Sequence, residues 1–196
     1  NTDSSPYNPM INAGAIVVAS CLASEISFDT MLDTIRALCM DPDINLDKKV
    51  YHSEMSHISR NRAIAYLLES KGYIEKNKDV ENSLHFYVKM CSLSVTAESL
   101  AGLGLILAND GIHPDTGKRL LSSQAVKIVK TLMFTCGMYD GSGEFAVRVG
   151  IPSKSGVGGG ILSVVDGEMG IGIFGPALDK KGNSVAGECV LEYMSH

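Results

Sequence analysis

At 196 residues, with 45% hydrophobic and 20% charged side chains, the chain is long enough to bury a real core, and its composition is neither disordered nor membrane-like. A net charge of −5 without any Lys/Arg cluster disfavours a nucleic-acid partner, and the longest apolar runs, Ala13 to Ala23 and Leu100 to Ala108, fall well short of a membrane span. Five scattered cysteines (Cys21, Cys39, Cys91, Cys136, Cys189) without a Cys-x-x-Cys pair fit reduced, packed thiols better than a disulfide frame or zinc site; with no visible signal peptide, they predict a cytoplasmic location.

Asn8-Pro9 pairs a cap residue with proline at the first helical position, predicting a helix that starts there and carries Asn12 to Ala23. Its small residues Ala13, Gly14, Ala15 and Ala19 suit close packing. Asn12 falls in the first turn, where its amide either satisfies that helix end or faces a ligand. Phe28 to Met40 reads as a second helix, ended by Asp41-Pro42-Asp43. The polar stretch Tyr51 to Arg62 then leads into the apolar stripe Ala63, Ile64, Leu67 and Leu68. A helix beginning near Ser53 puts Glu54 and Asn61 on one face, almost two turns apart, whereas one beginning near Ser56 leaves Glu54 in the entering loop. Ordinary solvation at a helix start is the commoner explanation for both residues.

Gly72 breaks that helix, and a charged loop from Glu75 to Glu81 precedes the apolar face Leu84, Tyr87, Val88 and Cys91. By position, Tyr87 is a core tyrosine with a satisfied hydroxyl. Thr96 caps a helix from Ala97 to Ala108 that closes at Asn109-Asp110-Gly111. Ser122 or Ser123 caps the next, whose buried side is Ala125, Val129, Leu132 and Met133. It stops at Cys136-Gly137 and leaves Tyr139 in a turn, by position an ordinary loop tyrosine.

After this the sequence changes character. Phe145 to Val149, the Lys154-Ser155-Gly156 segment, Ile161 to Val165 and Met169 to Phe174 read as strands, the last two joined by Asp166-Gly167. Asp179 to Asn183 is a turn, and Ser184 to Tyr193 a last helix. The expected fold is α/β of the α+β type, a helical lobe with part of an antiparallel sheet and a C-terminal helix, dividing at 1–143 and 144–196. So few strands beside so much helix leave a sheet edge or face in need of a partner. The chain also opens on Asn1 rather than Met, so the sequence is expected to be part of a longer one.

Several patterns prove to be decoys. Gly170-Ile-Gly172-Ile-Phe-Gly175 spells the dinucleotide fingerprint, but Pro176 and a turn follow where a helix must receive the pyrophosphate. Gly117-Lys118 lacks the Ser/Thr and upstream glycine of a phosphate loop. His52, Glu54 and His57 have the wrong spacing for a metal helix, since zinc-binding histidines lie four apart and these lie five apart. The run Gly156 to Gly160 is more informative. It would let a substrate carbonyl approach backbone N–H groups able to hold an oxyanion, although a hairpin that merely avoids a clash has the same composition. Lys154-Ser155-Gly156 at the head of a strand pair is similar to the Lys-Thr-Gly element of serine acyl-enzymes with the penicillin-binding fold. Such an enzyme also needs Ser-x-x-Lys, and no lysine here has a serine three positions before it.

Taken together, Asn8-Pro-Met-Ile-Asn-Ala-Gly-Ala15, Ser53-Glu54, Arg60-Asn61, Phe86-Tyr87, Cys136-Gly-Met-Tyr139, Lys154-Ser-Gly-Val157-Gly-Gly-Gly-Ile161 and Gly182-Asn-Ser184 resemble the glutaminase family of serine-dependent amidohydrolases, in family order over nearly the whole chain. The resemblance implies a β-lactamase/DD-peptidase-like fold with no metal or cofactor. It implies that Asn12, Glu54, Asn61 and Tyr87 grip L-glutamine and that Tyr139 stands beside the nucleophile and relays its proton. The N–H of Val157 would supply one arm of the oxyanion hole. Glu54 suits the substrate ammonium, and the two amides and the Tyr87 hydroxyl offer neutral donors. The family carries its Ser-x-x-Lys well upstream of the Asn-Pro motif. The chain is therefore expected to be the later portion of a glutaminase, with a substrate-binding lobe over 1–143 and the sheet lobe over 144–196, inactive alone. The family also implies a homo-oligomer, dimer or tetramer, and it leaves a mitochondrial location as the alternative to the cytoplasm in a eukaryote. A glutamine- or glutamate-binding module of the same fold without a nucleophile is the alternative.

Overall fold

The structure, a computed structural model, describes residues 8–76 and 78–195. It is mixed α/β, and its residues cluster into two compact units. One takes the chain as far as Ile35 and again from Asp43 to Ser94; the other takes Arg36 to Pro42 and the chain from Val95 onward. Among the described residues no single helix is long and apolar enough to cross a membrane.

In the first unit, α1 (Asn12–Ala23) is apolar around most of its circumference and buries Ile16 completely, while Val18 on its other side is exposed. It begins at Asn12, not at Pro9 as the Asn-Pro pair predicts. The Asn8 side chain accepts the Met10 N–H at 2.8 Å and builds a turn instead of capping a helix. Gly14 is required beneath that turn, because a Cβ there would strike the main chain of Asn8 and Pro9. α2 (Phe28–Cys39), shared between the units, ends where expected, with Met40 at φ +54°.

A two-residue strand, β1 (Asn45–Leu46), leads to α3 (Lys48–Ser56), which starts under the Asp47 carboxylate as it accepts the Lys49 and Val50 N–H groups. α4 (Ser59–Ser70) follows after a break at His57-Ile58. Both sequence-based starting points for a single helix, Ser53 and Ser56, are thus corrected: Asp47 is the cap, and the break falls where Ile58 turns inward to 3% exposure. α5 (Val80–Cys91) is capped by Asp79 and buries Leu84 and Val88, while Cys91 ends outside the expected apolar face. Leu84 packs with Ile16, Ala65, Leu68 and Ile74 in one core cluster. β2 (Leu93–Ser94) pairs antiparallel with β1, and both are too short to leave an alternating pattern in the sequence.

In the second unit, α6 (Ala97–Ala108) opens with a reciprocal cap in which Thr96 and Ser99 each accept the other's N–H. α7 (Ser123–Cys136) is capped by Ser122. The strand expected over Phe145 to Val149 is instead α8 (Ser142–Arg148) with its C-cap at Val149. The alternation of Phe145, Val147 and Val149 suggested a pleat, yet Val147 is 89% exposed while Phe145 and Val149, one helical turn apart, are buried. β3 (Ser153–Ser155), β4 (Gly160–Val165) and β5 (Met169–Phe174) form an antiparallel sheet in that order, with Ser153 opposite Ser163 and Leu162 opposite Gly172. The β4–β5 turn is at Asp166-Gly167, as expected, with Gly167 at φ +71°.

α6 lies on β5 main chain to main chain. A Cβ on Gly170 or Gly172 would collide with the backbone of α6, and one on Gly104 would sit 2.8 Å from the Gly170 Cα. The Gly-Ile-Gly spelling therefore records helix-on-strand packing, not a nucleotide site. α9 (Val185–Met194), capped by Ser184, closes the unit. Leu191 joins Met138, Phe145, Val149 and Ile161 in its core, and the Arg148 guanidinium reaches Glu188 at 2.7 Å and Glu192 at 2.9 Å.

Candidate active site

In the first unit, α1 and α4 bring two of the expected ligand-binding side chains together: the Asn12 amide donates to the Asn61 side-chain oxygen at 2.8 Å. The bond uses one Asn12 N–H and one Asn61 acceptor position and leaves further donors on both exposed amides. Glu54, on the last turn of α3, and Tyr87, on α5, both influence the thiol of Cys91. Although Cys91 presents an exposed surface, partial shelter of its thiol pushes the pKa up, a hydrogen bond with Tyr87 draws it down, and the Glu54 carboxylate raises it again. Tyr87 also packs against the core cluster beside Ala13 and Ile64, so its ring is anchored while its hydroxyl reaches Cys91. Cys91 was legible only as one more member of an apolar face; its place beside Glu54 and Tyr87 depends on how α3 meets α5.

In the second unit, Tyr139 opens a 3-10 turn, Tyr139–Gly141, with φ +51°, a left-handed conformation that non-glycine residues seldom adopt. The ammonium of Lys154 lies over its ring, 4.7 Å from the centroid, and donates to the Ser155 carbonyl. Desolvation pulls the Lys154 pKa down, partly opposed by Cys136. Ser153 and Ser155 are buried on the other strand face, as alternation requires.

Beyond β3 the glycine run closes on itself. Gly156 donates to Gly160, Gly159 donates to Gly156, and Gly175 donates to Gly159. Gly159 sits at φ +92°, where a Cβ would meet the Gly175 carbonyl at 2.7 Å. Val157, 70% exposed, is at the tip, and among the described residues its N–H donates to no acceptor. Gly182 joins this group from the turn before α9: a Cβ there would be 3.6 Å from the Val157 side chain and 3.7 Å from the Tyr139 ring. Tyr139, Lys154, Val157 and Gly182 thus surround one spot. The two histidines set aside as metal ligands do not converge: His52 packs edge-on against Tyr51, and His57 bonds Ser56 and the Ser53 carbonyl.

The sequence profile of the family described as Glutaminase matches residues 1–196. The chain belongs to the glutaminase family. Its relatives include the glutaminase of Clostridium tetani, 51% identical over 97% of this chain and 62% of that protein, and the glutaminase of Fusobacterium nucleatum, 53% identical with the same coverage. This glutaminase-family chain therefore spans a little over three-fifths of the length of those curated relatives. A Bacillus subtilis glutaminase, solved as its covalent complex with 5-oxo-L-norleucine formed by reaction with 6-diazo-5-oxo-L-norleucine, is 40% identical and superposes with a TM-score of 0.90 over 97% of this chain and 68% of that one. The family's β-lactamase-like fold is thereby that of the portion present here, as the motif resemblance led one to expect.

Proposed function

We propose that this chain is the glutamine-holding portion, with one oxyanion donor, of a glutaminase that hydrolyses L-glutamine to L-glutamate and ammonia. Asn12, Asn61, Glu54 and Tyr87 hold the amino-acid end of the substrate, with Glu54 opposite its ammonium. The N–H of Val157 stabilises the tetrahedral oxyanion. One such donor is worth about 2.7–4 kcal/mol in the transition state. A serine supplied by sequence outside residues 1–196 attacks the carbonyl carbon, and Tyr139 carries its proton toward the departing ammonia. Lys154, over the Tyr139 ring, provides positive charge that favours tyrosinate character. Water then releases glutamate from the acyl-enzyme.

The observation that carries this reading is the family match over the full 196 residues. A relative's covalent complex, formed by reaction with 6-diazo-5-oxo-L-norleucine, in which a diazo-bearing carbon stands where glutamine has its amide nitrogen, is the behaviour expected where a nucleophile faces that end of the substrate. The same reading includes a homo-oligomer working in a reducing, cytoplasm-like compartment, supported by the scattered free thiols.

The test is ammonia release. In the complete protein, Tyr139→Phe should lower kcat about 10²–10⁴-fold while KM moves little, as loss of a proton relay does. Residues 1–196 alone should release none. An unchanged kcat for Tyr139→Phe removes Tyr139 from the mechanism, and turnover by the isolated chain removes the external serine. A complete protein that binds glutamine without hydrolysing it would be a binding module.

A further inference from the structure

Tyr139 holds a conformation that costs free energy, and such strain persists only where the surroundings over-determine it. Two buried side chains supply that constraint. The Ser142 hydroxyl accepts the Met138 N–H at 3.0 Å and donates to the Tyr139 carbonyl at 2.7 Å, gripping the peptide group that follows the strained residue and the N–H of the residue before it. The Asn183 amide donates to the Met138 carbonyl at 3.2 Å, and the Gly141 N–H donates to the same oxygen. Ser142 is 5% exposed and Asn183 is fully buried.

Asn183 is itself held. Its N–H goes to the Asp179 carboxylate at 2.9 Å, which also takes the Lys181 N–H, and backbone hydrogen bonds draw the Asp179 pKa down. Its side-chain oxygen has no partner among the described residues. A buried amide that keeps one directed bond and leaves its acceptor unpaired is a poor choice for packing alone. Gly182, next to it, abuts the Tyr139 ring.

We infer that Ser142 and Asn183 are positioning residues that clamp the left-handed turn and fix where the Tyr139 hydroxyl points. The inference deepens the proposed glutaminase mechanism and rests on it for its catalytic consequence.

The experiment uses the complete protein with Ser142→Ala, Ser142→Thr, Asn183→Asp (same shape, no donor) and Tyr139→Phe. Ser142→Ala and Asn183→Asp should each lower kcat about 10-fold or more with KM within about three-fold, and Ser142→Thr, which keeps the hydroxyl, should restore most of it. On the Tyr139→Phe background both changes should alter kcat by less than about two-fold, because they act through the missing hydroxyl. Equal effects in both backgrounds, or parent-like kcat, overturn the inference.

A second readout does not depend on catalysis. With tyrosines carrying a 13C label at Cζ, the Tyr139 resonance, assigned by its loss in Tyr139→Phe, should move in both clamp variants while other tyrosines stay. An unmoved resonance overturns the clamp even if Tyr139→Phe proves fully active, which would itself refute only the proton relay. Should Asn183→Asp fail to fold, the Ser142 alanine and threonine pair decides alone.

Discussion

Gly172→Ala tests the contact on which the second unit is built. The new methyl would meet the carbonyl of Ala97 and the amide of Ala101, main-chain atoms of α6 with no side chain to swing aside. Relief requires the helix to lift off β5, which disturbs the cap at Thr96 and the packing over Leu162. Overpacking a tight core costs about 1–3 kcal/mol, and with backbone on both sides the upper end applies. In a domain of about 150–250 residues about 3 kcal/mol lowers Tm by about 6–12 °C, and in the longer complete protein the lower end applies. Gly143→Ala is the control. It lies in α8 with no atom within 4 Å of the added Cβ, so the same chemical change should stabilise by about 0.5 kcal/mol. Thermal melts of the complete protein followed by circular dichroism read both. A Tm for Gly172→Ala within about 2 °C of the parent would falsify the close seating of α6 on β5.

Three other outcomes are expected. On the proposed role of Glu54, Glu54→Gln in the complete protein removes a charge-assisted contact worth about 1.5–3 kcal/mol, so KM for glutamine should rise about 10–150-fold with kcat less affected; initial-rate kinetics decide, and an unchanged KM takes Glu54 out of the proposed site. The Arg62 guanidinium bonds both oxygens of Glu81, at 2.8 and 3.0 Å, and holds its carboxyl below the usual range. A depressed folded-state pKa gives stability that is full above the unfolded value of about 4.3 and is lost as pH falls through the folded one. Glu81→Gln should thus flatten the acid limb of a denaturation-midpoint profile below about pH 4.3, while an identical limb contradicts the pairing. Finally, burial and then the charge of Asp41 push the Cys39 thiol up to about 11. Maleimide at pH 7.5 should spare Cys39 in the native protein and label it after denaturation, as peptide mass spectrometry can show; native labelling would place that thiol at the surface.

The parts of this structure that were legible in the sequence are those that local rules decide. Thr96, Ser122 and Ser184 mark helix starts because their side chains satisfy free N–H groups at once. The β4–β5 turn follows from Asp166-Gly167. Local rules failed where two of them competed. Asn8 could cap a helix or build a turn, and Phe145 to Val149 alternates like a strand while also burying two residues at helical spacing. The site was less readable still. Position alone makes Tyr87 a core residue and Tyr139 a loop residue, and only the family resemblance singled them out. The Asn12–Asn61 bond, the seat of Lys154 over Tyr139 and the placing of Cys91 are tertiary facts, joining residues whose separation along the chain carries no periodic signal.

Arg148 grips two carboxylates one turn apart on α9, Glu188 and Glu192, from the last residue of α8. That arrangement couples the breathing of the two segments. Were α9 to peel away, a half-sheltered cation would lose both counter-charges together, so the free energy of local opening belongs to the pair of helices. α9 is consequently a poor starting point for unzipping: the first step is already collective.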